Sequence, residues 1–244
     1  MPSILEPLNL SILHHSLINN LPIIPNEPIF AVGMKIYAIS GLGADERAFQ
    51  FIEFPHEVVH VKWITPSKDE SMSDYALRLC DQIDTSEPFA LVGLSFGGML
   101  ATEMCKFITP AHTILLSSAE TKNEIPWWFK FIGKMKLTSL IPSGFVEVPR
   151  PLARWFFGTK DPEVIDYILD DVDIDYIKWA VKQIMNWDNM SPAHNVFKIH
   201  GEDDRVLPLK EDANTVIIED GGHFMVADKA DQISALITEK LKNN

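Results

Sequence analysis

Residues 90–98 have the sequence Ala-Leu-Val-Gly-Leu-Ser-Phe-Gly-Gly and decide the fold, because an apolar run typical of a β-strand leads directly into a serine with glycines on both sides. Residues 99–104 continue with a helix-forming composition. A sharp turn from strand to helix exposes such a serine, and the glycines let the two backbones approach closely. Since a serine hydroxyl needs an adjacent base to react, we predict that Ser95 is a nucleophile. The alternative is a glycine-rich turn with an unreactive serine.

Short apolar runs alternate with helical patterns on both sides of this turn. A capping box begins the helical pattern at residues 71–83, which places apolar side chains on one stripe. Such alternation is typical of a parallel sheet with helices on both faces. We therefore expect an α/β fold with a sheet of about six mainly parallel strands. The predicted strands cover residues 35–40, 57–64, 90–94, 113–118, 195–200 and 215–219.

Residues 121–190 interrupt the alternation with a helical, aromatic segment that prolines divide into short helices. We expect this segment to be a helical cap inserted between two parts of the core, residues 34–120 and 191–244. Most of its aromatic side chains are expected to pack within the cap, and a few to face the cleft above the serine. Residues 1–33 are expected to be a poorly ordered extension, with Met34 as the natural start.

Composition and charge narrow the function classes. The chain has 244 residues and a net charge of −13, which argues against nucleic acid or an anionic membrane as a partner, because both need a basic face. There is no run of about 18 apolar residues, so we expect no membrane insertion and a cytoplasmic location. Cys80 and Cys105 fall within helical patterns and are expected to be reduced core thiols. No cysteine and histidine spacing indicates a metal site, and the sequence leaves the oligomeric state open.

Polar and glycine-rich segments follow several of the predicted strands, and functional groups collect at the carboxyl ends of the strands of a parallel sheet. These segments are residues 41–43, Ser95, the acidic residues 202–204 and His223. A base must reach the serine hydroxyl, and a buried acid must hold the other imidazole nitrogen. His223, which follows two glycines, fits the base, whereas His200 is expected to pack or to cap a strand.

Spacing alone leaves the identity of the acid open. Glu202, Asp203 and Asp204 are consecutive, and Glu120 ends the preceding strand of the core. All four side chains are candidates on this ground.

The order serine, acid, histidine resembles that of the alpha/beta hydrolase family. Residues 200–208, His-Gly-Glu-Asp-Asp-Arg-Val-Leu-Pro, resemble its acid-bearing loop, in which the acid stands three residues after the glycine. This resemblance implies that Asp204 is the acid. It covers residues 34–120 and 191–244, while the predicted cap matches only in placement and helical character.

The same resemblance extends to residues 40–43, Ser-Gly-Leu-Gly, which occupy the place of the family's oxyanion loop. It implies that the backbone N–H groups of Leu42 and Phe96 stabilise the tetrahedral oxyanion. Ser40 stands where many relatives have histidine, and residues 1–33 hold no convincing counterpart of the family's leading antiparallel strands.

The resemblance implies a serine hydrolase that cleaves a small-molecule carboxylic ester or thioester through an acyl-enzyme and needs no cofactor. Ser95 attacks the acyl carbon, His223 transfers the proton and Asp204 orients His223. Two alternatives remain: a C–C bond hydrolase or hydroxynitrile lyase with the same triad, since the pocket sets the scissile bond, and a non-catalytic small-molecule binding protein with a hydrolase pocket.

Overall fold

A parallel β-sheet lies at the centre of the computed structural model, which describes residues 34–127, 129, 155, 157–159, 173–210 and 214–242. In these residues six strands pair in the order β2-β1-β3-β4-β5-β6, and every pair is parallel. The expected α/β fold with about six parallel strands is therefore confirmed. The strands are β1 (Lys35–Ile39), β2 (Glu57–His60), β3 (Phe89–Leu94), β4 (His112–Leu116), β5 (Val196–Gly201) and β6 (Thr215–Ile218).

Helices cover both faces of the sheet. The Ser71 side chain accepts a hydrogen bond from Asp74 N at 3.0 Å, as the capping box predicted. The segment between β1 and β2 contains a 3-10 turn at Glu46–Phe49. The described α-helices are α1 (Met72–Leu79), α2 (Phe96–Met104), α3 (Ile174–Asn186), α4 (Met225–Asp228) and α5 (Ala230–Lys242).

Two apolar clusters, one on each side of the sheet, form the core. Alternate residues of a strand point to opposite faces, so Leu91 packs with α1, α2 and α3, whereas Val92 packs with α4 and α5. All six residues of β3 are buried. A strand that is buried on both faces appears in the sequence as a continuous apolar run, which is why β3 was predicted to within one residue.

Strand β2 ends four residues earlier than predicted. Val61 N makes the last bond to β1, donating to Ala38 O at 2.9 Å. The Gln82 side chain then bonds both backbone groups of Lys62: it accepts a hydrogen bond from the Lys62 N–H and donates one to the Lys62 carbonyl, each at 2.9 Å. A side chain thus takes the place of a strand partner, and the chain leaves the sheet.

The two cysteines, Cys80 and Cys105, are half-buried free thiols. Burial raises the pKa of the Cys80 thiol to about 11, so this thiol stays protonated at neutral pH. Within the part of the chain that the structure describes, no helix is both long and apolar enough to span a membrane.

Helix α3 belongs to the predicted cap, and Trp179 within it and Trp187 directly after it form hydrogen bonds to the core. Trp179 Nε1 donates to Glu70 O at 2.9 Å, and Trp187 Nε1 donates to the buried carboxylate of Glu103 at 2.8 Å. These bonds place α3 beside α1 and α2. The predictions for residues 1–33, and most of those for the cap, concern residues outside the described ranges.

Candidate active site

Ser95 lies on the sharp turn between β3 and α2 with a strained backbone, φ 52° and ψ −118°. Its neighbours leave no room for side chains: a Cβ on Gly97 would lie 2.2 Å from Ser40 O, and one on Gly93 would lie 2.4 Å from Gly98 Cα. Ser118 Oγ donates to Ser95 O at 2.6 Å. Close backbone packing and this hydrogen bond hold the strained turn in place.

A chain of hydrogen bonds joins Ser95, His223 and Asp204. Ser95 Oγ lies 2.8 Å from His223 Nε2, and His223 Nδ1 lies 2.7 Å from Asp204 Oδ2. His223 and Asp204 are 3% and 4% exposed, so water does not compete for these bonds. In a neutral His223, Nδ1–H donates to the carboxylate and leaves Nε2 free to accept the serine proton.

The loops that carry the acid and the base touch each other. A Cβ on Gly201 would lie 2.3 Å from Gly221 O, so the contact requires a glycine at residue 201. Asp203 N also donates to Gly221 O at 2.9 Å. The two loops therefore bring Asp204 and His223 together from the ends of neighbouring strands.

Asp204 is an ionised carboxylate in a buried site. Its Oδ1 accepts from Val206 N at 2.9 Å and Leu207 N at 2.8 Å, and its Oδ2 faces both His223 and His200. Burial raises the pKa of Asp204, but the charge of His223 and the hydrogen bonds from His200 and His223 outweigh burial and hold this pKa well below its ordinary value.

The turn Ser40–Ala44 lies against the serine. Ala44 N donates to Gly41 O at 3.0 Å and Ser40 Oγ donates to Ala44 O at 2.8 Å, while a Cβ on Gly41 would lie 3.6 Å from Ser95 Cβ. Within the described residues, the N–H groups of Leu42 and Phe96 have no hydrogen-bond acceptor.

The sequence matches the alpha/beta hydrolase family over residues 37–236. The chain belongs to this family. Both the predicted family and the predicted fold are thereby confirmed, and membership supports a hydrolase activity. No curated protein matches the sequence.

Several solved structures share the fold at low sequence identity. A thermophilic esterase from Thermogutta terrifontis is 16% identical, with a TM-score of 0.63 over 86% of this chain and 90% of that one. A lipase-esterase related protein from Clostridium acetobutylicum is 16% identical, with a TM-score of 0.61 over 86% and 93%. MenH from S. aureus is 15% identical, with a TM-score of 0.60 over 88% and 96%. At these identities the likeness shows the fold alone.

Of the four acids that spacing left open in this alpha/beta hydrolase, Asp204 is the one that contacts His223. Glu202 and Asp203 are exposed on the same loop. Glu120 Oε1 instead accepts a hydrogen bond from Ala193 N at 2.9 Å. The position three residues after the glycine thus distinguishes acids that strand spacing alone did not.

His200 was expected to pack or to cap, and its side chain also contacts Asp204. Its Nε2 lies 2.8 Å from Leu207 O and 3.2 Å from Asp204 Oδ2. Both neighbours are acceptors, so Nε2 carries the hydrogen and donates to them. The signal in the sequence was its place at the end of β5, four residues before Asp204.

Part of the predicted cap lies directly against the base. The Phe157 ring is 5.7 Å from the His223 ring, and Phe224 N donates to Phe157 O at 3.0 Å. A Cβ on Gly222 would lie 2.6 Å from Gly158 O, so the glycine before His223 permits this approach. An aromatic side chain of the cap segment therefore covers one side of the imidazole.

Proposed function

We propose that the protein is a serine hydrolase that cleaves a carboxylic ester or thioester through an acyl-enzyme. The observation that carries this proposal is the buried relay from Ser95 Oγ through His223 to Asp204, with bonds of 2.8 and 2.7 Å. Each member has the partner that its role requires: the nucleophile faces a base, and the base faces an ionised acid.

In the first half-reaction, Ser95 Oγ attacks the acyl carbon while His223 Nε2 accepts its proton. The imidazolium then gives this proton to the leaving alkoxide or thiolate, and the alcohol or thiol departs. In the second half-reaction, His223 takes a proton from water, the hydroxide attacks the acyl-enzyme, and the proton returns to Ser95. Asp204 keeps Nδ1 protonated throughout and stabilises the imidazolium.

The negative charge that develops on the acyl oxygen needs donors that are already in place. We assign this role to the N–H groups of Leu42 and Phe96, which come from the turn after β1 and from the first residue of α2. The positive end of the α2 dipole favours the same charge. Neither donor needs a metal or a cofactor.

Two of the structural relatives are named as an esterase and a lipase-esterase related protein, which supports ester chemistry for this chain. The substrate is a small molecule that reaches Ser95 beside the predicted cap. The free thiols Cys80 and Cys105 support a reducing compartment such as the cytoplasm as the location.

The test is hydrolysis of p-nitrophenyl esters from acetate to palmitate by the wild-type protein and Ser95→Ala, together with labelling by a fluorophosphonate. We expect turnover and labelling that both depend on Ser95, and the optimal chain length reports the depth of the pocket. Labelling without ester turnover would redirect the search to thioesters and C–C substrates. Absence of both would contradict the proposal in favour of a binding protein.

A further inference from the structure

We propose that Trp63 is a positioning residue that holds the two halves of the oxyanion hole in register, an inference that rests on the proposed function. Trp63 lies on the segment after β2, far in sequence from both donors. It contacts the turn that carries Leu42 through its N–H and the residue Phe96 through its ring. No motif in the sequence marks it.

The first contact fixes the turn. Trp63 Nε1 donates to Ala44 O at 2.8 Å, and the same carbonyl accepts Ser40 Oγ at 2.8 Å. A carbonyl oxygen has two lone pairs, so these donors fill its capacity. Ala44 N closes the turn onto Gly41 O, and this leaves the Leu42 N–H at the apex of a turn held from two directions.

The second contact fixes the first residue of α2. The Trp63 ring stacks on the Phe96 ring with centroids 6.2 Å apart and planes 25° apart. Phe96 is 1% exposed, and the Trp179 ring meets it edge-on at 6.2 Å. Since the Phe96 side chain is enclosed in this way, the backbone N–H of the same residue is held with it.

A cavity lies beside Trp63 on one side of the turn, while Leu42 and Ala44 of the turn pack against the two apolar clusters of the core. A cavity of about 230 Å³ opens between the turn and α3, with Gly43, Ala44, Trp63 and Tyr176 in its lining. Tyr176 contacts the Trp63 ring at 5.2 Å, so α3 braces the indole rather than the turn. Trp63 therefore connects the turn to Phe96 of α2 and to Tyr176 of α3.

Register matters here because both donors must point at one oxygen. Each must lie about 2.7–3.1 Å from the place where the oxyanion forms, and the two N–H groups come from separate elements. A small shift of the turn removes one donor from this range while the Ser95, His223 and Asp204 relay stays intact. Loss of Trp63 N–H should thus slow the chemical step and leave substrate binding unchanged.

The experiment compares Trp63→Phe with Trp179→Phe in the full-length protein. Both variants keep an aromatic ring beside Phe96 and lose one indole N–H, but Trp179 Nε1 donates to Glu70 O rather than to the turn. We expect Trp63→Phe to lower kcat for a p-nitrophenyl ester by about 10- to 30-fold with KM within about twofold. Trp179→Phe should keep kcat within about threefold.

Two further readouts separate positioning from general damage. Affinity for a trifluoromethyl ketone, which forms a tetrahedral oxyanion on Ser95, should fall in parallel with kcat/KM in Trp63→Phe. Because Ser40 and Trp63 hold the same carbonyl, the double variant Ser40→Ala/Trp63→Phe should lose more than the product of the single losses. A merely structural role for Trp63 predicts neither result.

Equal kcat losses in Trp63→Phe and Trp179→Phe, a loss borne by KM, or unchanged ketone affinity would each overturn the assignment of Trp63. Ser95→Ala in the same series tests the proposed function independently of the role of Trp63. If that variant retains turnover, the serine mechanism itself fails. If Ser95→Ala is inactive while Trp63→Phe matches Trp179→Phe, the serine mechanism stands and the role of Trp63 falls.

Discussion

The two sides of Ser95 are built in different ways. On one side, Asp204 lies on the loop after β5 and His223 on the adjoining loop after β6, and one hydrogen bond of 2.7 Å joins these two buried side chains. On the other side, the proposed oxyanion donors are the N–H of Leu42 in the turn Ser40–Ala44 and the N–H of Phe96 in α2. Close backbone contacts and the Trp63 indole N–H hold the turn in place. Under the proposed mechanism, proton transfer depends on residue identity, whereas oxyanion binding depends on backbone position. Substitutions on the two sides should therefore reduce activity for different physical reasons.

The largest effect is expected on the relay side, from Asp204→Asn. An amide favours the wrong tautomer of His223, so kcat/KM should fall by about 10⁴-fold while the shape of the site is kept. Steady-state kinetics with the best p-nitrophenyl ester measures this. The matched control is Asp203→Asn, which makes the same change at the exposed neighbour and should keep wild-type activity. Equal activities of the two variants would contradict the assignment of Asp204.

The next effect is expected on the oxyanion side, from Gly97→Ala. The new Cβ would lie 2.2 Å from Ser40 O and 2.3 Å from Ile39 O, and these backbone atoms cannot move alone. We expect about a 100-fold loss of kcat together with a lower thermal midpoint. Gly41→Ala is the control, since its Cβ would meet only contacts of 3.6 Å and longer. If Gly97→Ala were as active and stable as Gly41→Ala, the close packing of β1 on α2 would be wrong.

A smaller effect returns to the relay side, at His200. Replacing His200 by Leu removes the donor that lies 3.2 Å from Asp204 Oδ2, and we expect kcat/KM to fall by about tenfold. His200→Gln places an N–H at a similar reach and should recover most of the activity. A Gln variant no better than Leu would assign His200 to packing alone.

The smallest effect concerns the free energy of unfolding at low pH. The pKa of Asp204 is lowered by folding, so its contribution is complete above the unfolded value of about 3.9 and is lost as the pH falls below it. Urea unfolding between pH 3 and pH 7 should show a steeper loss of stability below about pH 4 in the wild type than in Asp204→Asn. Parallel curves would mean that other groups control acid unfolding.

Much of the fold was predictable from the sequence, because buried parallel strands appear as apolar runs and the turns between them contain glycines. Ser95 and His223 stood out because glycines flank one and precede the other. The acid required the family resemblance, since Glu202, Asp203 and Asp204 are equivalent by spacing and only burial separates them.

Other features depend on contacts between residues that are distant in sequence, which no local sequence pattern predicts. The early end of β2 depends on the Gln82 side chain, which is 20 residues away from Lys62. The places of His200 and Trp63 follow from loops that meet only in the folded sheet. On the relay side, local motifs marked Ser95 and His223 and the family resemblance marked Asp204, while on the oxyanion side the support for the turn became visible only in three dimensions.

The strained backbone of Ser95 has a consequence for how this protein can evolve. A backbone at φ 52° and ψ −118° suits glycine better than any residue with a Cβ, so a serine at this position lowers the stability of the fold. Under the proposed mechanism, selection for hydrolysis retains the serine there. In a lineage that no longer needed the reaction, drift toward glycine at this position would relieve the strain and leave a more stable, inert descendant.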